Sequence, residues 1–334
     1  VSIPLRGKES VVVGDLRKLR VPHPYVAMVP QWDLLDLLAE AGKDEPTFTL
    51  AMNTEATGLI RRSGRVVGVR YRDTAGDGEL FADLTVACDG RWSMARREAA
   101  LPVKEFSVPF DAWWFRLPRD PGEGKATIAP YIASRQLAVV IPREGYFQIA
   151  YIAKKGTDAQ LRAAGIENFR RNIAEIGSWS KDKVDALASM DDVKHLDVRV
   201  NRLRRWHTDG LLCIGDAAHA MSPVGGVGIN LAVQDAVATA RLLAKPLRHK
   251  DIRRHDLARI RASRWAATVL VQGAQLAMHR GLILPTLEGR RGGPPRALLF
   301  ALRRLPGITH AFAYLAGVGI RPEHAPDFAR RPAN

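Results

Sequence analysis

Leu211-Leu212-Cys213-Ile214-Gly215-Asp216-Ala217-Ala218-His219, running on through Pro223-Val224-Gly225-Gly226-Val227-Gly228-Ile229-Asn230, is the stretch whose reading decides the fold. An apolar run ends on Gly-Asp, a glycine-rich loop follows, and Ile229 opens a segment with apolar residues at helical spacing. This predicts a buried strand that delivers one carboxylate to a pocket, with a helix N-terminus facing the same pocket. Leu231, Val233, Val237, Ala240 and Leu243 carry the helical stripe onward, and the helix is expected to end before Pro246.

A second strand end of the same kind lies upstream. Between Thr47 and Cys88 the pattern predicts strands at Thr47 to Met52, near Ala56 to Arg61, and at Val66 to Arg72, with a Ser63-Gly64 turn and a turn-rich Asp73 to Gly78. A final apolar strand, Leu84 to Cys88, is expected to be buried and runs into Asp89-Gly90. Before this meander, residues 1 to 30 are basic and punctuated by Pro22 and Pro24, which predicts loop and extended chain. Pro30-Gln31-Trp32-Asp33 then precedes Leu34, Leu35, Leu37 and Leu38, a helical stripe closed by Gly42. Gln31 falls in the first turn of that helix, where it is either an ordinary polar residue or one that reaches a ligand.

From Phe106 to about Arg204, aromatic residues such as Trp113, Trp114, Phe115, Tyr131, Phe147 and Tyr151 sit in short alternating runs, and Lys155 to Met190 is helical and polar-faced. This predicts a second sheet with covering helices. The segment to Gly281 places Arg253, Arg254, Arg261 and Arg264 on a helical pattern, read as a solvated face. Gly292, Gly293, Pro294 and Pro295 break the tail before a short basic and apolar helix that precedes Pro322.

Composition narrows the function classes. A chain of 334 residues with 46% hydrophobic and 25% charged content buries a large core and is not largely disordered. Its two cysteines, Cys88 and Cys213, each in an apolar run, exclude a disulfide framework and make a reducing, cytoplasmic setting the expected home; both are expected to be small buried residues. The net charge of +15 calls for an anionic partner: nucleic acid, acidic membrane or a phosphate-bearing cofactor. No interleaved basic and aromatic pattern of a single-strand binder is present in the sequence, so nucleic acid is not expected, and at most a weak contact with an anionic membrane surface is. No apolar run approaches the roughly 20 residues of a transmembrane span. His195, His207 and His219 are too scattered for a metal site, and no Gly-x-Ser-x-Gly elbow is present. Gly226-Val227-Gly228 is half a dinucleotide fingerprint, but it lies about ten residues past its strand end rather than directly after it.

Taken together, Asp89-Gly90-Arg91-Trp92-Ser93-Met94-Ala95-Arg96 and Gly215-Asp216 through Pro223, Gly226, Gly228 and Asn230 resemble the FAD-dependent monooxygenases of the aromatic hydroxylase type, similar to p-hydroxybenzoate hydroxylase. The first stretch matches that family's Asp-Gly-x-x-Ser-x-x-Arg element at every fixed position. The second matches its Gly-Asp element with the spacing to the proline and glycines. The resemblance implies an α/β fold: a Rossmann-like FAD-binding domain, incomplete at its N-terminus, interleaved with an α+β substrate domain and followed by a helical C-terminal region. The expected divisions are residues 1–105 and 206–246 for the FAD-binding parts, 106–205 for the substrate-binding sheet and 247–334 for the helical region.

It also implies roles for residues. Asp216, after Gly215, would accept hydrogen bonds from the ribityl hydroxyls of FAD. Gly225, Gly226, Val227 and Gly228 would bring backbone N–H groups to the flavin edge, where the helix starting near Ile229 and Asn230 favours negative charge. Pro223 would pack by the ring, Asp89 and Gly90 would lie near the pyrophosphate, and Gln31 would turn toward the flavin. Arg96 would be a structural or nicotinamide-facing cation, Ser93 and Arg96 otherwise belonging to a capped helix. The implied chemistry is reduction of FAD by NADH or NADPH as co-substrate, formation of a flavin C4a-hydroperoxide with O2, and transfer of one oxygen to an aromatic or polyketide-like small molecule. No catalytic acid or base is named, and His219 reads as structural.

One element of that family is missing from the sequence: the strand, Gly-x-Gly-x-x-Gly and helix that bind the adenosine half. Its absence predicts a sheet without its central strand, with apolar surface and edge N–H groups exposed. The chain is thus either an N-terminally shortened version of a complete enzyme or a remnant that holds FAD poorly. Two alternatives accompany the hydroxylase reading: a flavin oxidoreductase without oxygen insertion, and a flavin-free, non-catalytic subunit. The halogenase Trp-x-Trp-x-Ile signature is absent at Trp113 and Trp114.

Overall fold

In the computed structural model, which describes residues 2–4, 10–12, 14–123, 128–133, 136–177, 179–290, 300 and 303–329, the chain opens with a hairpin of β1 (Ser2–Pro4) and β2 (Ser10–Val12). Extended chain then leads to α1 (Gln31–Lys43), which begins directly after Pro30 as predicted. Its leucine stripe is not buried: Leu35, Leu37 and Leu38 are exposed, and no residue of α1 is buried. The expected strand at Thr47 to Met52 does not form either; the segment is irregular, with Phe48, Leu50 and Met52 in solvent. Alternating apolar residues favour a strand only where a neighbour supplies ladder partners, and no described strand pairs here.

The meander is β3 (Glu55–Arg62), β4 (Arg65–Asp73) and β5 (Gly76–Phe81), antiparallel in that order. The β5 strand begins inside the predicted turn region, because Arg72 and Asp77 pair across a tight turn at Thr74-Ala75. After it comes β6 (Thr85–Ala87). This strand is an edge rather than the buried strand expected, with Val86 exposed, and Cys88 just beyond it is exposed as well. Asp89-Gly90 leads into α2 (Met94–Glu98) and β7 (Val103–Phe106).

The aromatic segment folds into one antiparallel sheet. Its strands are β8 (Phe110–Pro118), β9 (Ala129–Ala133), β10 (Gln136–Pro142), β11 (Tyr146–Lys154) and, after the helices α3 (Asp158–Ala163), α4 (Gly165–Gly177) and α5 (Lys181–Asp185), β12 (Lys194–Leu196). Their spatial order is β12-β8-β11-β10-β9. Phe169, Ile173 and Ile176 of α4 pack on Phe115, Leu117, Ile149 and Tyr151, so Phe115, Tyr151 and Trp113 are core residues.

Next, β13 (Val200–Leu203) pairs with β7, and the hairpin of β14 (His207–Thr208) and β15 (Leu211–Cys213) brings the chain beside β6. The β15 and β6 strands are parallel, with Leu211, Leu212 and Cys213 opposite Thr85, Val86 and Ala87. The two strand ends singled out in the sequence therefore emerge side by side. Leu211, Leu212, Cys213 and Ile214 form a core with Trp206, Leu243, Leu257 and Ile260.

Two helices cover this core: α6 (Gly228–Arg248) and α7 (Arg254–Met278). The α6 helix runs past Pro246, where it was expected to stop; in the last turn the proline removes only one hydrogen bond, and the chain can still close the helix after it. A π-helical turn, His279–Ile283, joins α7 to α8 (Leu284–Leu287), and α9 (Pro306–Gly317) comes last. The Gly292 to Pro295 break lies outside the described residues. No helix among the described residues is long and apolar enough to cross a membrane.

Candidate functional site

The first motif is a helix-capping device. Gly90 has φ +77°, a conformation that leaves a side chain strained, and its carbonyl accepts the Ser93 N–H to close the turn. Ser93 Oγ then accepts from Arg96 N at 3.0 Å and Asp89 Oδ2 from Ala95 N at 3.1 Å, so two of the free N–H groups of α2 are satisfied by the motif itself. Arg96 points inward. It is buried, donates to Asn201 Oδ1 at 3.3 Å and Ala217 O at 3.5 Å, and also bonds the Arg91 carbonyl. Arg96 thus pins the two motifs together.

The second motif places Asp216 at the end of β15, in the tight turn Gly215–Ala217. Its carboxylate makes no hydrogen bond among the described residues; Arg91 Nη2 stands 3.9 Å from Oδ2. Burial raises the Asp216 pKa, with Arg91 the strongest opposing influence. An under-partnered, half-buried carboxylate of this kind is primed to accept hydrogen bonds from hydroxyl groups.

Beyond it, Gly226 N–H bonds the Pro223 carbonyl in a turn whose Gly225 and Gly226 have φ +84° and +63°. Both glycines are exposed, and a Cβ on Gly226 would meet nothing within 4 Å, so the loop lies open to a ligand. Val227 and Gly228 start α6 directly behind it, and Ile229 and Asn230 are exposed in its first turn. Gln31 is exposed at the start of α1, and no described hydrogen bond joins it to Asp89, Asp216 or the glycine loop. The chain just ahead of it is tied to the large sheet through Arg143 Nη1, which donates to the Met28 carbonyl at 2.6 Å.

The apparatus that holds the motif is the part the sequence reading missed. Asp235, on the second turn of α6 and fully buried, accepts from Gly215 N at 3.1 Å and from Arg264 Nε at 3.0 Å, and lies 2.6 Å from His219 Nε2. Burial pushes the Asp235 pKa up, but His219, Arg264 and the Gly215 N–H outweigh it and hold the carboxyl below its ordinary range. Arg264, expected on a solvated face, is instead fully buried, because Asp235 and the Arg321 carbonyl supply the partners a buried guanidinium needs. His219 is structural, as expected, packed on Trp206 with ring centroids 4.9 Å apart.

A second clamp sits under the glycine loop. Gln275 on α7 accepts from Ser222 N and donates to the Ser222 and Val224 carbonyls, both at 2.9 Å. His279, in the π-helical turn, contacts Ser222 Oγ at 2.9 Å, and burial pulls its pKa down to about 4. The i,i+4 spacing of Gln275 and His279 was the available signal. It is invisible without knowing which face of α7 meets the loop.

The site is thus a parallel strand pair ending in two turn motifs beside a helix N-terminus, next to an antiparallel aromatic sheet. A family model described as FAD binding domain matches residues 6–272, and the chain belongs to that family. It is an oxidoreductase of the FAD-dependent monooxygenase type.

Among curated relatives, 6-methylpretetramide 4-monooxygenase of Streptomyces rimosus is 32% identical over 310 residues, covering 89% of this chain and 71% of that protein. Protoasukamycin 4-monooxygenase of Streptomyces nodosus subsp. asukaensis is 21% identical, covering 77% and 67%. Among solved structures, the anhydrotetracycline hydroxylase of Streptomyces rimosus shares the fold with a TM-score of 0.71 at 20% identity, covering 96% of this chain and 63% of that one.

Proposed function

We propose that the chain acts as a monooxygenase that consumes NAD(P)H and O2 and hydroxylates an aromatic, polyketide-like small molecule. The observation that carries this reading is the Asp216 carboxylate, left without a hydrogen bond beside an open glycine loop, while everything behind it is tightly bonded. Such a site is built to receive hydroxyl groups and a planar ring. The relative that acts on 6-methylpretetramide, at 32% identity, supports the polyketide class of substrate.

The residues present fit the flavin half of the cofactor. Asp216 would hold the ribityl hydroxyls, the N–H groups of Gly225, Val227 and Gly228, which are not taken up in the Pro223–Gly226 turn, would serve the ring edge, and the positive end of α6 would favour negative charge there. Pro223 would pack by the ring, and Ile229 and Asn230, exposed in the first turn of α6, would border it. Gly215 sets the Asp216 turn. Asp89 and Gly90 would shape the turn beside the pyrophosphate, one Asp89 oxygen already fixed by Ala95 N–H. Gln31 supplies a polar group at the start of α1. A bound flavin would supply the oxygen activation, and the chain's own groups would position it and exclude water.

The test is flavin content and coupled turnover. Purified protein supplied with FAD should become yellow and oxidise NADH or NADPH faster when a pretetramide-like polyketide is added. Colourless protein after FAD addition, or oxidation indifferent to every such substrate, would remove the proposal.

A further inference from the structure

Away from the flavin motifs, a row of cations and aromatic rings runs across the face where β7, β13, β14 and α7 meet. Lys104 Nζ lies 5.3 Å from the Phe106 ring centroid, and Arg202 covers the same ring at 4.8 Å. Arg202 is also 5.2 Å from the Trp265 ring, and Arg261, one turn before Trp265 on α7, stacks on that ring at 3.9 Å. The interleaved basic and aromatic pattern that is absent along the sequence is thus assembled in space, from three separate segments.

This row lacks counter-charges. Arg202 donates to the Gln272 side chain at 3.1 Å, but neither Arg202, Arg205, Arg254, Arg261 nor Lys104 makes an ion pair among the described residues. Three buried nitrogens here have no hydrogen-bond partner: Arg202 Nε, Arg261 Nε and His207 Nδ1. His207 itself is only 9% exposed, and burial, joined by the charges of Arg205, Arg254 and Arg261, pulls its pKa below the ordinary histidine range. Clustered cations without anions are unfavourable, and one bound anion would relieve their repulsion.

We propose that the face formed by Arg202, His207, Arg254, Arg261 and Trp265 binds a phosphate-bearing small molecule. Guanidinium groups placed over aromatic rings are held in position by them, and a guanidinium's fork of N–H groups can grip phosphate oxygens in pairs. The faces of Phe106 and Trp265 are taken up by cations, which removes the stacking platform that single-stranded nucleic acid needs. The site uses none of the residues assigned to the flavin. Its phosphate could come from a free anion or from a nucleotide.

Calorimetric titration of the FAD-loaded protein at fixed ionic strength, with inorganic pyrophosphate in one arm and adenosine 2′,5′-bisphosphate in the other, tests this. Saturable one-to-one binding is expected, weakened about tenfold by Arg261→Gln, which removes a charge-assisted contact. Arg254→Gln, at an exposed position of α7 and so without risk to the fold, should weaken it about threefold. Arg171→Gln, which removes an exposed charge on α4, should leave it unchanged. The pH midpoint of His207, followed by proton NMR, should rise when the anion is bound. Binding of both ligands identifies phosphate alone as the feature recognised, and binding of the bisphosphate alone identifies a nucleotide. Binding of neither, or equal weakening by Arg171→Gln, overturns the proposal.

Discussion

Asp235→Asn is the substitution that most fully tests how the flavin-side motif is held. Asparagine has the same shape, so no cavity forms, but the carboxylate that serves Gly215 N–H, Arg264 and His219 together is lost. The amide oxygen can serve one or two of these, while its NH2 group faces a donor. Arg264, with no exposed surface, then loses its hydrogen-bonded counter-charge and keeps only the Glu323 carboxylate at 4.0 Å and the Arg321 carbonyl. Removing one partner of a buried charge pair costs about 3–5 kcal/mol. At about 2 °C per kcal/mol in a chain of this length, the melting temperature should fall by roughly 6–10 °C. FAD affinity should fall as well, because the Gly215 turn that presents Asp216 loses its anchor. Thermal unfolding followed by circular dichroism, with FAD titration in parallel, measures both. The double variant Asp235→Asn/Arg264→Met removes the stranded cation and should be less damaging than the two single losses added, by about 1 kcal/mol or more. A melting temperature within 2 °C of the parent, together with unchanged FAD affinity, would refute the reasoning.

Other substitutions separate the remaining parts. Asp216→Asn should weaken FAD binding by about 1.5–3 kcal/mol, or roughly ten- to a hundredfold in Kd, read by flavin fluorescence. Because the folded Asp216 pKa is raised, its contribution to stability is fully present below the unfolded pKa and is lost as pH rises through the folded one. The same Asp216→Asn variant should therefore melt higher than the parent without FAD at pH 7 to 8, and this gain should vanish at pH 3. His279 is depressed to about 4, so its contribution is present above the unfolded value near 6.5 and is lost as pH falls toward 4. His279→Gln should flatten the decline in unfolding free energy between pH 6.5 and 4 in urea titrations, and an unchanged slope would contradict it. Ser93→Ala should cost about 1 kcal/mol by removing the N-cap of α2, measured by the same urea titration.

The parts of this fold that were legible in the sequence are those encoded locally. Pro30 marked the start of α1, Ser63-Gly64 the β3–β4 turn, and the apolar runs ending at Cys88 and Ile214 the two strand ends that lie side by side. What stayed hidden depends on contacts between distant segments. The Thr47 to Met52 run has strand composition but no described partner, and Cys88 lies at an edge instead of in the core. Arg264 sits among arginines of a basic helix, and only the approach of α6 turns it from a surface charge into the partner of Asp235. Within the site, Asp216 and the glycines were visible because a motif fixes their spacing. Asp235, Gln275 and His279, which hold that motif from behind, are ordinary helix residues until the helices are packed.

The central claim is that this chain's flavin site inserts oxygen into an organic substrate, and isotope labelling tests it most directly. Turnover of a pretetramide-like polyketide with NAD(P)H under 18O2, followed by mass spectrometry, should give a product carrying one 18O atom. A product formed with NAD(P)H consumption but no 18O, or with 18O only from labelled water, would contradict it and leave an oxidoreduction without oxygen insertion.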